Sequence, residues 1–219
     1  MIYTIAIDGP AGSGKSTVAK RVARQLGITY LDTGAMYRAI TLKILRRQLP
    51  IEAGEALAGL LAETVLDLHD DQVWMDGEEV TTPIRSAEVT LAVSAVSSLP
   101  MVREALVAKQ QAIARGKSIV MDGRDIASKV LPDATLKVFL TASPEVRGKR
   151  RWLEIRAKGQ EADLEAIIAD IARRDTLDSS REHSPLVCTE DALKLDTSQM
   201  DLEAVQNWII EALNRRLKL

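Results

Sequence analysis

Residues Gly9, Pro10, Ala11, Gly12, Ser13, Gly14, Lys15 and Ser16 follow the spacing G-x-x-x-x-G-K-[ST]. Glycines at such places let backbone N–H groups close around a polyphosphate. A lysine in the seventh place reaches the β- and γ-phosphates, and a hydroxyl after it can ligate Mg²⁺. The pattern carries weight only between a strand and a helix. Both flanks are present. Tyr3 to Ile7 is a short β-prone run, and from Lys15 the residues Val18, Val22 and Leu26 recur every four positions until Gly27 offers a C-terminal cap. The segment from Gly9 to Thr17 therefore reads as a P-loop, which leaves kinase, GTPase switch and motor open. A guanine-reading Asn-Lys-x-Asp stretch is absent, since the only asparagines are Asn207 and Asn214, and 219 residues are few for a helicase or transporter.

A phosphoryl acceptor that is itself an anion needs a second cationic pocket, because donor and acceptor repel until positive charge aligns them. Arginines in loops after the expected strands can supply it. Arg38 follows the second strand, Arg103 lies just beyond Pro100, Arg124 follows the run Ser118 to Met121, and Arg174 and Arg181 flank Asp178. No nucleophile and base pair stands out. An acceptor phosphate is largely dianionic at neutral pH and requires charge neutralisation more than deprotonation.

The elements that must position these groups alternate. After the first strand and helix, Ile28 to Leu31 reads as a second strand and Ala35 to Arg47 as a helix. Between Thr64 and Val80 short strands are punctuated by Asp70-Asp71 and Asp76-Gly77, a meander in a small separate lobe. Two helices flank Pro100, and Ser118 to Met121 and Leu136 to Leu140 are two more buried strands. Glu145 to Arg181 is highly charged, either a solvated helix or a mobile anion-binding lid. Asp201 to Leu217 is a last helix with Val205, Trp208, Ile209, Ala212 and Leu213 on one side. The alternation implies an α/β fold, a parallel sheet with helices on both faces and ligands at the carboxyl ends of the strands.

Composition removes other classes. A formal charge of -2 gives no bulk attraction to nucleic acid or anionic lipid, and 3% aromatic residues leave few rings for base stacking. A single cysteine, Cys188, allows no internal disulfide, and His69 and His183 lie too far apart for zinc-site spacing. No stretch approaches the apolar length of a membrane span, so a cytoplasmic address and no membrane partner are expected.

Several separated segments together resemble the bacterial cytidylate kinases, and the likeness covers nearly the whole chain. They are the loop Gly9 to Thr17, Leu31-Asp32-Thr33-Gly34-Ala35-Met36-Tyr37-Arg38, Asp122-Gly123-Arg124-Asp125, Arg147 to Arg151, Arg174-Asp175 with Asp178 and Arg181, and Asp196-Thr197-Ser198. The resemblance implies a P-loop kinase that moves the γ-phosphoryl of ATP onto CMP or dCMP, with Mg²⁺; a monomer is expected. It implies a core over about 1–40, 100–145 and 182–219, a β-containing monophosphate-binding insertion over about 41–99, and a lid over about 146–181.

Carried over residue by residue, it puts Ser94, Arg103 and Asp125 around cytosine, where a carboxylate can accept from the 4-amino group and would meet uracil oxygen against oxygen. Arg38, Arg124 and Arg181 hold the acceptor phosphate, Thr33 and Tyr37 line the site, and Arg174 with Asp178 meets the sugar. An ion pair of Asp178 with Arg174 or Arg181 is the alternative for that carboxylate. Arg147, Arg150 and Arg151 correspond to the lid, Arg150 among the ATP contacts, with Lys15, Arg124, Arg181, Arg147 and Arg151 as the catalytic set and Ser16 and Asp122 on the metal. Kinases for UMP or a shikimate-like metabolite, or an ATP-dependent switch, are the competing readings. One departure stands out: the family commonly has Ile or Met, then Gly and Thr after the Asp-Gly-Arg-Asp stretch, and here Ile126-Ala127-Ser128 follows. Were positive φ needed there, Ala127 would be strained.

Overall fold

The computed structural model describes residues 1–69, 72–157 and 159–218. In chain order the elements are β1 (Thr4–Asp8), α1 (Lys15–Leu26), β2 (Thr29–Asp32), α2 (Thr33–Arg46), α3 (Glu55–Glu63), β3 (Leu66–His69), β4 (Gln72–Met75) and β5 (Glu78–Glu79). There follow α4 (Ala87–Ser98), α5 (Pro100–Ala114), β6 (Ile119–Gly123), β7 (Leu136–Thr141), α6 (Pro144–Ala157), α7 (Leu164–Ser179), β8 (Leu193–Asp196) and α8 (Leu202–Leu217). The chain divides into two compact units, residues 1–30 with 116–219 and residues 31–115. Helices α2 and α5 belong to the second.

The first unit is built on a five-stranded sheet in the order β2-β6-β1-β7-β8; a parallel sheet is what the alternation of strands and helices predicts, while its order and its fifth strand, β8, go beyond that reading. Strand β1 pairs in parallel with β6 and β7, and β7 with β8. The order places β1, which feeds the glycine loop, in the middle of the sheet. Along β1 the side chains of Ile5 and Ile7 point to one face, where they bury with Val18 and Val22 of α1, Val138 and Leu140 of β7, and Ile209 and Leu213 of α8. The four-residue recurrence in α1 is thus the seam against the sheet. Asp201 caps α8, its carboxylate accepting from the Ala204 N–H at 2.8 Å.

The charged stretch after β7 is two packed helices, α6 and α7. They pack at Gly148, where a Cβ would overlap the Ile168 side chain. Glycine is the residue that lets the two backbones meet there.

The second unit holds α2 to α5 and the antiparallel meander β3-β4-β5. The meander was foreseen; the Asp70-Asp71 turn lies outside the described residues. Helix α2 starts two residues before the expected Ala35 because the Asp32 carboxylate accepts from the Ala35 N–H at 3.0 Å and caps it. Ala39 and Leu42 of α2, Val73 and Met75 of β4, and Ile84 and Val89 form one apolar cluster. Lys43 is buried in α2 and ties it to the meander, its ammonium 2.6 Å from Asp76 and 3.2 Å from Glu63. Burial works to raise the Asp76 carboxyl, but Lys43, the Val65 N–H and Arg47 together outweigh it and hold the group below the usual range.

Candidate functional site

In the first unit the polar groups gather where strands end. Strand β1 stops at Asp8 and the chain turns at Gly9, whose φ is +156°. A Cβ there would overlap the carbonyl oxygen of Leu140 on β7. That oxygen is backbone and cannot swing away, so only glycine serves. Lys15 opens α1, is nine-tenths buried, and donates to the Pro10 carbonyl at 3.1 Å, which folds its ammonium back over the loop. The Ser13 hydroxyl is buried inside the loop without a hydrogen-bond partner, while Thr17 is exposed.

The two expected metal ligands meet. Asp122, next to last in β6, lies beside Ile7 of β1, and the Ser16 hydroxyl donates to one of its oxygens at 2.7 Å. The other oxygen accepts from the Tyr30 hydroxyl at 2.7 Å. A hydroxyl and a carboxylate side by side are hard oxygen donors of the kind Mg²⁺ prefers. Among the described residues no group of three or more His, Cys, Asp or Glu is placed to hold a metal, so this pair is no all-protein cage and suits an ion that keeps water and substrate oxygens.

A second cluster joins three of the predicted arginines. Asp178 on α7 is 3% exposed. It accepts from Arg124 Nε at 2.8 Å through one oxygen and from Arg181 through the other. The ion-pair alternative for Asp178 is therefore present, with Arg124 and Arg181 as partners. Burial tends to raise its carboxyl, yet Arg124 and Arg181 prevail and hold it below the ordinary value. Arg174 stands beside them. Burial and the adjacent Arg124 guanidinium push it down from the usual arginine range, and its Nε lacks a hydrogen-bond partner. Three guanidiniums gather at the Asp178 carboxylate, with Asp170 also acting on Arg174, a cationic setting that suits an anion.

Between these clusters runs the loop after β6. Asp125 is 4% exposed, and Ile126–Val130 form a π-helical turn in which Leu131 N–H reaches the Ile126 carbonyl. Ala127 is not among the residues with positive φ, so the expected strain is absent: it sits inside this turn, buried, where any L-residue is comfortable. The Ile126 and Ala127 N–H groups end on the Asp8 carboxylate at 2.9 and 2.8 Å. Burial pushes the Asp8 carboxyl up to about 6, against the pull of those two N–H groups and of Lys15 and with the push of Asp125.

The three arginines of α6 have different surroundings. Arg147 is 3% exposed. It donates to the carbonyls of Ala142 and Ala11 and forks onto Asp175 of α7 at 3.1 and 2.5 Å. Arg150 donates to the Thr197 carbonyl at 2.7 Å, the Thr197 hydroxyl and the Ser13 carbonyl, which brings the Asp196-Thr197-Ser198 stretch to the glycine loop. Arg151 is exposed and pairs with Glu154.

In the second unit, Arg103 is 4% exposed on α5. It donates to the Ser97 carbonyl at 2.9 Å and lies 5.3 Å from the centre of the Tyr37 ring. Arg38, also on α2, reaches the Ile84 carbonyl at 3.2 Å and the Thr90 hydroxyl at 3.0 Å. Thr33 is buried in the first turn of α2, and Ser94 is half-buried on α4.

Sequence reasoning missed Asp8 and Tyr30, and it quoted Asp175 in a motif without assigning it the partner Arg147. Asp8 adjoins a motif residue that was singled out, which was the available signal. Tyr30 had none, because its partner Asp122 is 92 residues away.

The family model described as cytidylate kinase matches residues 5–215. The cytidylate kinase of Caldanaerobacter subterraneus is 50% identical over 98% of this chain and 96% of its own length. That of Enterococcus faecalis is 51% identical over 94% of this chain and 95% of its own. Among solved structures, shikimate kinase from Bacteroides thetaiotaomicron aligns over 98% of this chain and 99% of its own with a TM-score of 0.51 at 16% identity, a likeness of fold alone. The half-identical relatives span both clusters of polar groups and the loop between them, and the chain belongs to the cytidylate kinase family.

Proposed function

We propose that this protein transfers the γ-phosphoryl group of ATP directly to CMP or dCMP, giving ADP and CDP or dCDP. The convergence of Arg124 and Arg181 on the buried Asp178, with Arg174 beside them, is the observation that carries the reading. It is a preformed anion site at the end of β6, in the same unit as the P-loop.

In this mechanism the loop Gly9 to Thr17 cradles the donor phosphates, Lys15 leaves the Pro10 carbonyl for the β- and γ-phosphates, and Arg150 contacts ATP. Ser16 and Asp122 hold Mg²⁺, which neutralises charge on the donor phosphate oxygens when bound. The acceptor phosphate takes the Arg124 and Arg181 guanidiniums, with Arg38 as a third, and Asp178 with Arg174 turns to the sugar. A sugar without a 2′-hydroxyl costs at most one hydrogen bond, so dCMP remains a substrate. Asp125, Arg103 and Ser94 read cytosine, with Thr33 and Tyr37 lining the site. Transfer is in line and needs no covalent intermediate, because positioning and charge neutralisation suffice.

The insertion over 41–99 serves the acceptor and the segment 146–181 serves as lid, Arg151 supplying mobile charge. Arg147, pinned beneath the P-loop, contributes by fixing the Ala11 carbonyl. The protein acts as a monomer in the cytoplasm without nucleic acid or membrane. A charge of -2 supports the nucleic-acid part, and no single described helix is long and apolar enough to cross a membrane.

The test is ADP release from Mg·ATP with CMP, dCMP, UMP, AMP and shikimate in turn, with Arg181→Ala as control. Turnover of CMP and dCMP that falls at least a hundredfold in the variant is expected. ADP formation indifferent to every acceptor would refute the assignment.

A further inference from the structure

We propose that Asp8 is a positioning residue for the acceptor: it fixes the loop that presents Arg124 and Asp125, and thereby sets CMP affinity and the preference for cytosine over uracil. The inference rests on the reading of Asp125 given above and adds a residue to it. Asp8 ends the central strand β1 and is 2% exposed. Of its two oxygens, one accepts from Ile126 N–H and the other from Ala127 N–H, at 2.9 and 2.8 Å. These are the first amides of the turn that begins after Asp125, and first-turn amides have no partner within their own helix.

A carboxylate suits this place for a geometric reason. Two N–H groups on neighbouring residues need two acceptors side by side. Asparagine, of the same shape, offers one oxygen and turns an N–H₂ toward the other amide, donor against donor. Because Ile126 and Ala127 are themselves 1% and 3% exposed, water cannot step in when that bond fails. The loop must then shift, and the residues immediately before it, Arg124 and Asp125, shift with it. Among charged groups, Lys15 on α1 and Asp125 in the loop act on Asp8. Its register neighbours, Gly123 on β6 and Phe139 on β7, carry none.

The experiment compares Asp8→Asn, Asp125→Ala and the unmodified full-length protein by steady-state kinetics with ATP, CMP and UMP. For Asp8→Asn that still melts cooperatively, KM for CMP rises at least tenfold, the CMP-to-UMP ratio of kcat/KM narrows at least tenfold, and KM for ATP changes less than threefold. Mere loss of stability would lower active enzyme without moving either KM or the ratio. Unchanged KM and selectivity in folded Asp8→Asn, beside lost selectivity in Asp125→Ala, overturns the role of Asp8 alone. Unchanged selectivity in Asp125→Ala overturns the reading of Asp125, and the inference falls with it. Should Asp8→Asn fail to fold, amide hydrogen exchange on the wild-type protein decides. Ile126 and Ala127 exchanging as slowly as the amides of β1 supports the lock, and exchange as fast as the exposed Lys117 overturns it.

Discussion

Arg147 of α6 and Asp175 of α7 form a forked ion pair beneath the P-loop, with the arginine 3% exposed and also bonded to the Ala11 carbonyl. The pair joins α6 to α7, and the same arginine joins α6 to the phosphate loop. Asp175→Ala leaves a buried guanidinium with carbonyls only. Breaking such a pair costs several kcal/mol, and with Asp175 partly in water the expected loss is about 2–4 kcal/mol. A thermal melt should show it as a fall of roughly 5–10 °C. An unchanged melting temperature would mean the pair contributes nothing net.

The contact of Ser16 with Asp122 predicts how the enzyme responds to metal. Chelation by EDTA should abolish CMP-dependent ADP formation, with restoration by Mg²⁺. In Asp122→Asn the Mg²⁺ concentration for half-maximal rate should rise roughly tenfold or more, since one anionic oxygen donor is gone. A wild-type Mg²⁺ titration in that variant would remove Asp122 from the metal site.

Gly9→Ala should be among the most damaging single changes. The added methyl meets the Leu140 carbonyl oxygen, a backbone atom of a central strand, and φ of +156° is already foreign to alanine. ATP binding, measured by calorimetry, should be lost or weakened at least roughly a hundredfold, an expectation from the one-ångström sensitivity of positioned sites. Retention of wild-type affinity would show that the strand yields.

The two buried aspartates predict opposite pH slopes. Asp8 has its carboxyl pushed up from 3.8 to about 6, so the folded protein binds the more protons between these values and the Asp8 contribution to stability falls as pH rises through that window. The difference amounts to about 3 kcal/mol at most. Asp178 is held below its ordinary 3.8 by Arg124 and Arg181, despite burial. Its contribution is complete above about pH 4 and is lost as pH falls through the folded value. Urea unfolding from pH 3 to 7 should show the slope between pH 4 and 6 altered in Asp8→Asn, and the slope below pH 4 altered in Asp178→Asn. Identical profiles for all three proteins would contradict both.

Much of this protein is legible along the chain because it is local. The glycine loop, the turn of polar residues after each strand and the four-residue recurrence in α1 are properties of contiguous residues, and they determined the P-loop, the alternating α/β order and the arginine candidates. Two elements escaped. Helix α3 has nine residues with Gly59 inside, too short and too interrupted to stand out. Strand β8 is a four-residue edge that alternates half-buried and exposed positions. Local pairs such as Asp178 with Arg181 were within reach of the sequence, but the distant partners of the charged groups were set by the tertiary structure. Asp8 finds Ile126 across 118 residues because β1 and β6 lie side by side in parallel register. Arg147 is buried because α7 packs on α6 at Gly148. A charged side chain carries no local mark of whether it will meet water, a carbonyl or a carboxylate; the register of strands and the packing of helices decide that.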